Sequence, residues 1–348
     1  MAISSVLGSS ALLPAGLGFR NKIINGDFGI NQRAFTSTTT NGDFGFDRWS
    51  IGFNGGTATY STQAFTVGNA ISGYEPINFA RIVTSGQTGG NYAQLSQKIE
   101  DVRTCAGQQV TISFYAKTAS GTPKVSVELQ QLFGSGGSPS SNIFTYAGQV
   151  TLSTSWVRHT ITVVVPSISG KTIGTTKDHS LVLNFFVSAG SGLETRSGSL
   201  GIQNNTFDFW GVQLEQNYQP TPFEQRPYGV ELQLCQRYFW SLTTSGQGQI
   251  MGAQVSAYGN ACYLNISTLN PVPMRIQPTP STHPSYPTAS YTPFVTDFNS
   301  NLRSVTAVNL SSPYMIQFVY SSTQLTANSS MGLNYADANR TLWLSAEL

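Results

Sequence analysis

Residues able to carry acid–base or metal chemistry are few and scattered along this 348-residue chain. Glycoside hydrolysis needs two carboxylates flanking the scissile bond. The candidates are Asp27, Asp43, Asp47, Glu75, Glu100, Asp101, Asp178, Glu194 and Asp208. Asp43 and Asp47 stand close together in Asn41-Gly-Asp-Phe-Gly-Phe-Asp-Arg-Trp, but Asp47-Arg48 reads better as an anchor for a loop beneath Trp49. The three histidines, His159, His179 and His283, lie in a strand, a turn and a proline-rich stretch, with no spacing that would converge on a metal. Cys105, Cys235 and Cys262 show no CxxC pattern. They read as three buried thiols, with a Cys235–Cys262 disulfide as the alternative. No nucleophile elbow, phosphate-binding loop or dinucleotide fingerprint occurs. The expectation is a chain without catalysis, metal or cofactor.

Aromatic side chains are the richer resource, at 11% of the residues. A flat ring packs against the apolar C–H face of a pyranose, while neighbouring polar groups bond its hydroxyls. Trp49, Phe53, Tyr60, Tyr92, Tyr115 and Trp156 are possible platforms in the first half, and Tyr258, Tyr286 and Tyr291 in the second. Each also reads as core or rim packing. Trp49, Tyr115, Tyr258, Tyr286 and Tyr291 are the candidate glycan contacts.

Those rings must be held by strands. Alternation marks Thr57–Thr62, Phe79–Thr84, Ala93–Ile99, Val110–Lys117, Lys124–Leu132, Ser155–Val165, Ser180–Val187 and Phe207–Leu214. Gly, Ser, Pro and Asn clusters separate them. Val110, Ile112, Phe114 and Ala116 should point inward. A second set occupies 249–255, 261–266, 304–310, 314–320 and 340–346. Residues Pro271 to Pro293 are dense in proline and must be loop or sheet edge. The fold class is all-β: an N-terminal antiparallel jelly-roll sandwich, a short helical connector and a smaller C-terminal β-domain.

The junction is the most informative stretch. Phe207–Leu214 reads as the closing strand, with Trp210, Val212 and Leu214 on its apolar face. Pro220, Pro222 and Pro227 enforce an extended path. Val230 to Phe239 is predicted as about two helical turns, with Val230, Leu234 and Tyr238 packing between domains or subunits. The expected divisions are an arm at 1–20, a sandwich at 21–218, a linker at 219–240 and a β-domain at 241–348. The arm is apolar but carries no basic region ahead of the apolar run, and glycines and Pro14 interrupt it. It reads either as a flexible terminus or as a virion-attachment arm using Ile3, Val6, Leu7, Leu12, Leu13, Leu17 and Phe19.

Charged residues make up only 10% of the chain, against roughly 25% in an ordinary domain, with a net charge of +2. No dense basic run exists, which argues against nucleic-acid binding. No stretch is long enough to insert in a membrane.

Asn21-Lys-Ile-Ile-Asn-Gly-Asp-Phe-Gly-Ile-Asn-Gln-Arg, with Asp47-Arg-Trp, and Phe207-Asp-Phe-Trp-Gly-Val-Gln-Leu-Glu resemble the opening and closing strands of jelly-roll carbohydrate-binding modules. Such modules often hold a structural calcium through an acid after Asn-Gly-Asp-Phe and an Asp in the closing strand. Here Gly29 and the Trp210-Gly211 pair occupy those positions, so no calcium site carries over. Together with Thr221-Pro-Phe-Glu-Gln-Arg-Pro and Glu231-Leu-Gln-Leu-Cys-Gln-Arg-Tyr-Phe, these motifs resemble tail-fibre and minor tail proteins of cyanophage-type tailed bacteriophages. The Pro271-Val-Pro-Met-Arg-Ile-Gln-Pro-Thr-Pro stretch resembles the tip domain of such fibres. The resemblance implies a virion protein, homotrimeric, bound to other tail or capsid proteins through its arm and to a host surface glycan. A capsid decoration or head-fibre protein is the alternative. A polysaccharide depolymerase ranks third, because no long β-helix repeat with clustered carboxylates is visible.

Overall fold

The computed structural model describes residues 19–68, 71–243, 249–258, 261–266, 272–282, 294–296, 302–304, 307–321, 330–334 and 341–348. The first part of the chain forms β1 (Ser37–Thr38), β2 (Ser50–Asn54), β3 (Thr57–Ala64), β4 (Asn78–Ser85), β5 (Tyr92–Glu100), β6 (Gln109–Thr118), β7 (Lys124–Leu132), β8 (Ile143–Thr151), β9 (Val157–Val164), β10 (Ser180–Ala189), helix α1 (Glu194–Ser197) and β11 (Thr206–Glu215). Helix α2 (Tyr228–Gln236) comes after the connector. Then come β12 (Phe239–Thr243), β13 (Gln249–Tyr258), β14 (Ala261–Ile266), β15 (Thr279–Thr282), β16 (Phe294–Thr296), β17 (Leu302–Ser304), β18 (Ala307–Ser312), β19 (Met315–Ser321), β20 (Ser330–Asn334) and β21 (Thr341–Ser345).

The first eleven strands make an antiparallel jelly roll. Its two sheets have the orders β1-β3-β4-β11-β6-β9 and β2-β5-β10-β7-β8. Each of the eight strands expected there from alternation has a counterpart, within two residues at most ends. Val110, Ile112, Phe114 and Ala116 of β6 are all fully buried, as expected. Phe114 and Phe209 from one sheet meet Phe185 from the other at 4.8 and 5.4 Å between ring centroids, so aromatic stacking knits the layers. β10 is buried on both faces along its length, as a strand between β5 and β7 must be when its outer face is also covered.

β11 departs from simple alternation. Its pairing with β6 shifts register between Trp210 and Gln213, and Gly211 there has φ +61°. This bulge changes which parity faces the core. Phe207 and Phe209 enter it before the bulge, Val212 and Leu214 after it. Trp210 instead joins Tyr115, Tyr74, Phe65 and Phe223, all within 6.4 Å of it.

The opening segment lies against this closing strand, as the two motifs suggested. Lys22 N donates to Leu214 O at 2.8 Å, and Val212 N donates to Gly26 O at 2.8 Å. A Cβ on Gly26 would sit 2.1 Å from Val212 O, so only glycine permits the approach. Asn25 adopts φ +56° and clasps its own loop: Nδ2 donates to Ile30 O and Asp47 O, and Oδ1 accepts from Ile30 N.

The connector is stapled to the same place. Arg226 donates to Ile23 O and to both carboxylate oxygens of Glu231, each at 3.1 Å, and also to Asn21 O. Glu231 in turn accepts from Asn25 N. Helix α2 therefore buries Glu231 and Cys235. The expected packing face of Val230 and Leu234 is half-buried, and only Tyr238 of that set is buried. The two buried positions lie one residue beyond Val230 and Leu234, on the side where Arg226 pairs with Glu231. Cys235 is a free, fully buried thiol that burial pushes well up in pKa, so the alternative Cys235–Cys262 disulfide is not formed.

Beyond the connector, two further antiparallel sheets have the orders β12-β21-β15 and β17-β16-β20-β13-β14-β19-β18. β15, with Pro280, is an edge strand, which suits the proline-rich region. The end of the chain returns to the jelly roll. Glu347 accepts from Arg33 Nη2 at 3.1 Å and from Arg48 Nη1. Lys98 Nζ donates to Leu348 O at 2.8 Å. Arg33 and Arg48 are 7% and 1% exposed, and their guanidinium carbons lie 3.5 Å from the ring centroids of Phe239 and Tyr238. Burial lowers both arginine pKa values to about 10.

Removing one partner from a buried ion pair leaves an uncompensated charge. Glu347→Ala is therefore expected to lower stability by about 3–5 kcal/mol, read as the urea unfolding free energy; a loss below about 1 kcal/mol would contradict the clamp. Gly26→Ala is expected to cost about 1–3 kcal/mol through its clash with the Val212 carbonyl, and an unchanged unfolding midpoint would contradict that contact.

Candidate functional site

The outer face of the five-stranded sheet carries a polar row that crosses every strand. Ser50 pairs with Ser96, Ser96 with Asn184, Asn184 with Glu128 and Glu128 with Tyr146. The next row runs Lys98, Val182, Gln130, Phe144. Polar residues in central strands must find partners, and these do. Ser96 Oγ donates to Asn184 Oδ1 at 2.6 Å. The fully buried Glu128 carboxylate accepts from Asn184 Nδ2 at 3.0 Å and Gln130 Nε2 at 2.7 Å. Its strongest partner is Arg196 of α1, bidentate at 2.6 and 2.8 Å.

Helix α1 is a single turn laid over this face. Gly198 caps it with φ +60°, and a Cβ there would strike the Tyr146 ring at 2.3 Å. Gln149 Nε2 donates to Ser197 O and Gly198 O at 2.8 and 2.7 Å. The turn thus presses Arg196 onto the sheet. The Arg196 guanidinium lies 4.4 Å from the Phe144 centroid and 5.6 Å from that of Phe186. Its hydrogen bonds to Glu128 raise its pKa further. Phe144 and Tyr146 stay 47% and 40% exposed, and Tyr92 stands at 6.4 Å from Phe186. The buried oxygens Gln94 Oε1 and Ser126 Oγ, flanking Phe186 in the adjacent row, have no hydrogen-bond partner.

This arrangement offers flat exposed rings beside fixed donors and acceptors. Rings of this kind beside polar groups are what stacking on the C–H face of a polyhydroxylated ligand requires. It lacks the geometry of nucleophile and base, because Glu128 is saturated by four donors.

The sequence-predicted contacts fall elsewhere. Trp49 is fully buried in the core, with Nε1 donating to Asn25 O at 2.9 Å. Tyr115 is 5% exposed beneath Trp210. Neither offers a free ring face, and both expectations are corrected on that ground. Tyr258 lies in β13, its side chain outside the described residues, and Tyr286 and Tyr291 lie outside them altogether. The attachment residues Ile3, Val6, Leu7, Leu12, Leu13 and Leu17 also lie outside the described residues. Phe19 is described and is 54% exposed. Phe144, Tyr146, Glu128, Asn184 and Arg196 escaped the sequence reading. The signal for two of them was a charged or amide residue midway along an otherwise apolar alternation, in Val125–Leu129 and Leu181–Val187.

The carboxylates weighed for catalysis are engaged in structure. Asp47 is fully buried and accepts from Gln32 N at 2.9 Å and from Gln32 Nε2; burial pushes its pKa up against the pull of Arg33. Asp208 is held bidentately by Arg81 at 2.7 and 2.8 Å. Among the described residues no group of three His, Cys, Asp or Glu side chains is placed to hold a metal.

The fold is thus all-β, a two-sheet antiparallel jelly roll followed by two further antiparallel sheets. No family model matches the chain, and no curated protein does. Among solved structures it is similar to the enzymatically active domain of tailspike protein 4 from bacteriophage CBA120, at 14% identity and a TM-score of 0.34, over 57% of this chain and 22% of that one. The chain therefore spans about a fifth of that tailspike structure. It is also similar to a family 4 carbohydrate-binding module, at 18% identity and a TM-score of 0.30, over 56% of this chain and 98% of the module. The family 11 carbohydrate-binding module from Clostridium thermocellum gives 13% identity and a TM-score of 0.31, over 54% and 99%.

Glu100, at the end of β5, ties this sheet to the segment after α2. It accepts from Arg237 at 2.7 and 2.8 Å and from the Tyr238 hydroxyl at 2.9 Å. Desolvation pushes its pKa up, but these hydrogen bonds outweigh it and hold the carboxyl below the usual 4.5. Its stabilising effect is therefore complete above pH 4.5 and fades as pH falls through the lowered value. At 37% exposed, the pair contributes less than about 1 kcal/mol. Glu100→Gln should unfold at lower urea than wild type at pH 7, and the gap should close on acidification; a gap that widened in acid would refute the sign.

Proposed function

We propose that this protein is a non-catalytic structural subunit of a bacteriophage virion that recognises host surface glycan, as a tail-fibre or receptor-binding component. The observation that carries the glycan reading is the outer face of the five-stranded sheet. There Phe144 and Tyr146 are exposed beside an Arg196 guanidinium locked by Glu128. A preorganised site of this kind loses little side-chain entropy on binding. The virion reading rests on the tandem Phe223-Glu-Gln-Arg-Pro and Cys235-Gln-Arg-Tyr motifs. Both lie in the connector region, which is fastened to the jelly roll through Arg226–Asn21 and Arg237–Glu100. The apolar N-terminal segment would join the subunit to the particle, and a trimer would multiply weak glycan contacts into avidity.

The test is a glycan array with purified protein, then titration of the retained glycan. Phe144→Ala and Tyr146→Ala should each weaken binding at least about fivefold, as loss of an aromatic anchor does. Absence of any retained glycan, or variants that bind like wild type, would refute the sheet face. Release of reducing sugar from host envelope would refute the non-catalytic part. Labelled antibody that marks particles only on the capsid lattice would refute the tail assignment.

A further inference from the structure

A second concavity, of about 520 Å³, opens where loop 33–44 of the jelly roll meets β12 and β21. It is built by parts of the chain some 200 to 300 residues apart, and the sheet-face site described above contributes nothing to it. Its size suits one small ligand. Phe44 and Trp343 line it and are half-buried. Thr38, Thr40, Asp43 and Ser345 bring hydroxyls and a carboxylate to the same wall. Asp43 is oriented by Thr38, whose Oγ1 donates to Oδ2 at 2.5 Å.

Arg33 belongs to this lining and is unusual. Its guanidinium is held between two rings, 3.5 Å from the Phe239 centroid and 5.2 Å from that of Phe44. It is 7% exposed, yet its buried Nη1 has no hydrogen-bond partner. Asp47 Oδ1 stands 3.7 Å from that nitrogen, beyond hydrogen-bond reach. That nitrogen faces the buried Asp47 carboxylate behind the wall of the concavity.

We infer that this concavity is a second saccharide subsite, taking one neutral hexopyranose unit. Phe44 and Trp343 supply the surface for its C–H face, Asp43 and the hydroxyls of Thr38 and Thr40 bond its hydroxyl groups, and Arg33 stays behind this wall as a charge held by Asp47 and Glu347. The charge of Arg33 is already balanced by Asp47 and Glu347, and Asp43 repels an anionic ligand, so an uncharged sugar fits better than an acidic one. The inference extends the glycan reading to a different surface, and its failure is separable from failure of the sheet face.

The probes are methyl β-D-galactopyranoside, methyl β-D-glucopyranoside and N-acetyl-D-glucosamine, titrated by saturation-transfer NMR into the full chain. At least one should bind saturably with a Kd on the order of 1 mM. Thr40 is exposed, so Thr40→Trp fills the opening without disturbing the core. It should weaken binding at least about tenfold, as should Trp343→Ala, while Phe144→Ala leaves this binding unchanged. Equal binding by Thr40→Trp and wild type would overturn the inference, as would no saturable binding by any probe. So would a loss seen with Phe144→Ala alone, which would return all sugar binding to the sheet face.

Discussion

The structure depends on keeping two arginines charged where water does not reach. Arg33 and Arg48 sit on the loops that open the jelly roll, and both are almost wholly buried. Desolvation alone would make that arrangement untenable. Asp47 stands beside Arg33, Glu347 from the far end of the chain reaches both, and Tyr238 and Phe239 cover them with their ring faces. The pairing brings β21 back beside β12 and β12 against the first loops. The same constraint shapes the cavity there, since Arg33 forms part of its lining. Arg48 takes a left-handed φ of +73°, which sets the chain direction just before Trp49 enters the core.

A second buried charge organises the other end of the fold. Glu128 in β7 gathers Asn184, Gln130 and Arg196, and so holds α1 on the sheet. The two outer faces of the jelly roll then differ. On the six-stranded sheet, Trp210 and Tyr115 are covered by Phe65, Tyr74 and the connector residue Phe223. On the five-stranded sheet, the cover is one helical turn, and Phe144 and Tyr146 remain open beside it. Phe223 of the connector thus helps to close one face, while Phe144 and Tyr146 stay exposed on the other.

The strands were legible where alternation was clean, as in Val110–Lys117 and Lys124–Leu132. β8 was not, because it lies at the edge of its sheet and bulges at Ala147, so its burial is intermediate or low throughout. The short β2 was missed for want of length. Trp49 and Tyr115 looked like platforms because an aromatic residue has the same composition signal in a core as on a surface. The β11 bulge carried Trp210 to the opposite face from Val212, which the period alone did not reveal. Helix α2 buries Glu231, which pairs with Arg226, while Val230 and Leu234 stay half-buried.

The class and order of elements came from the sequence by itself: antiparallel strands, a proline-stiffened junction, a short helix, more strands. Local periodicity and turn chemistry suffice for that, since they act over a few residues. Tertiary structure alone decided which aromatics are open, which carboxylates are engaged and where Glu347 meets the jelly roll. Glu347 lies 299 residues from Arg48 along the chain, and Arg196 lies 68 from Glu128. No local pattern encodes such pairs, because they arise when buried charges must find partners as the sheets close.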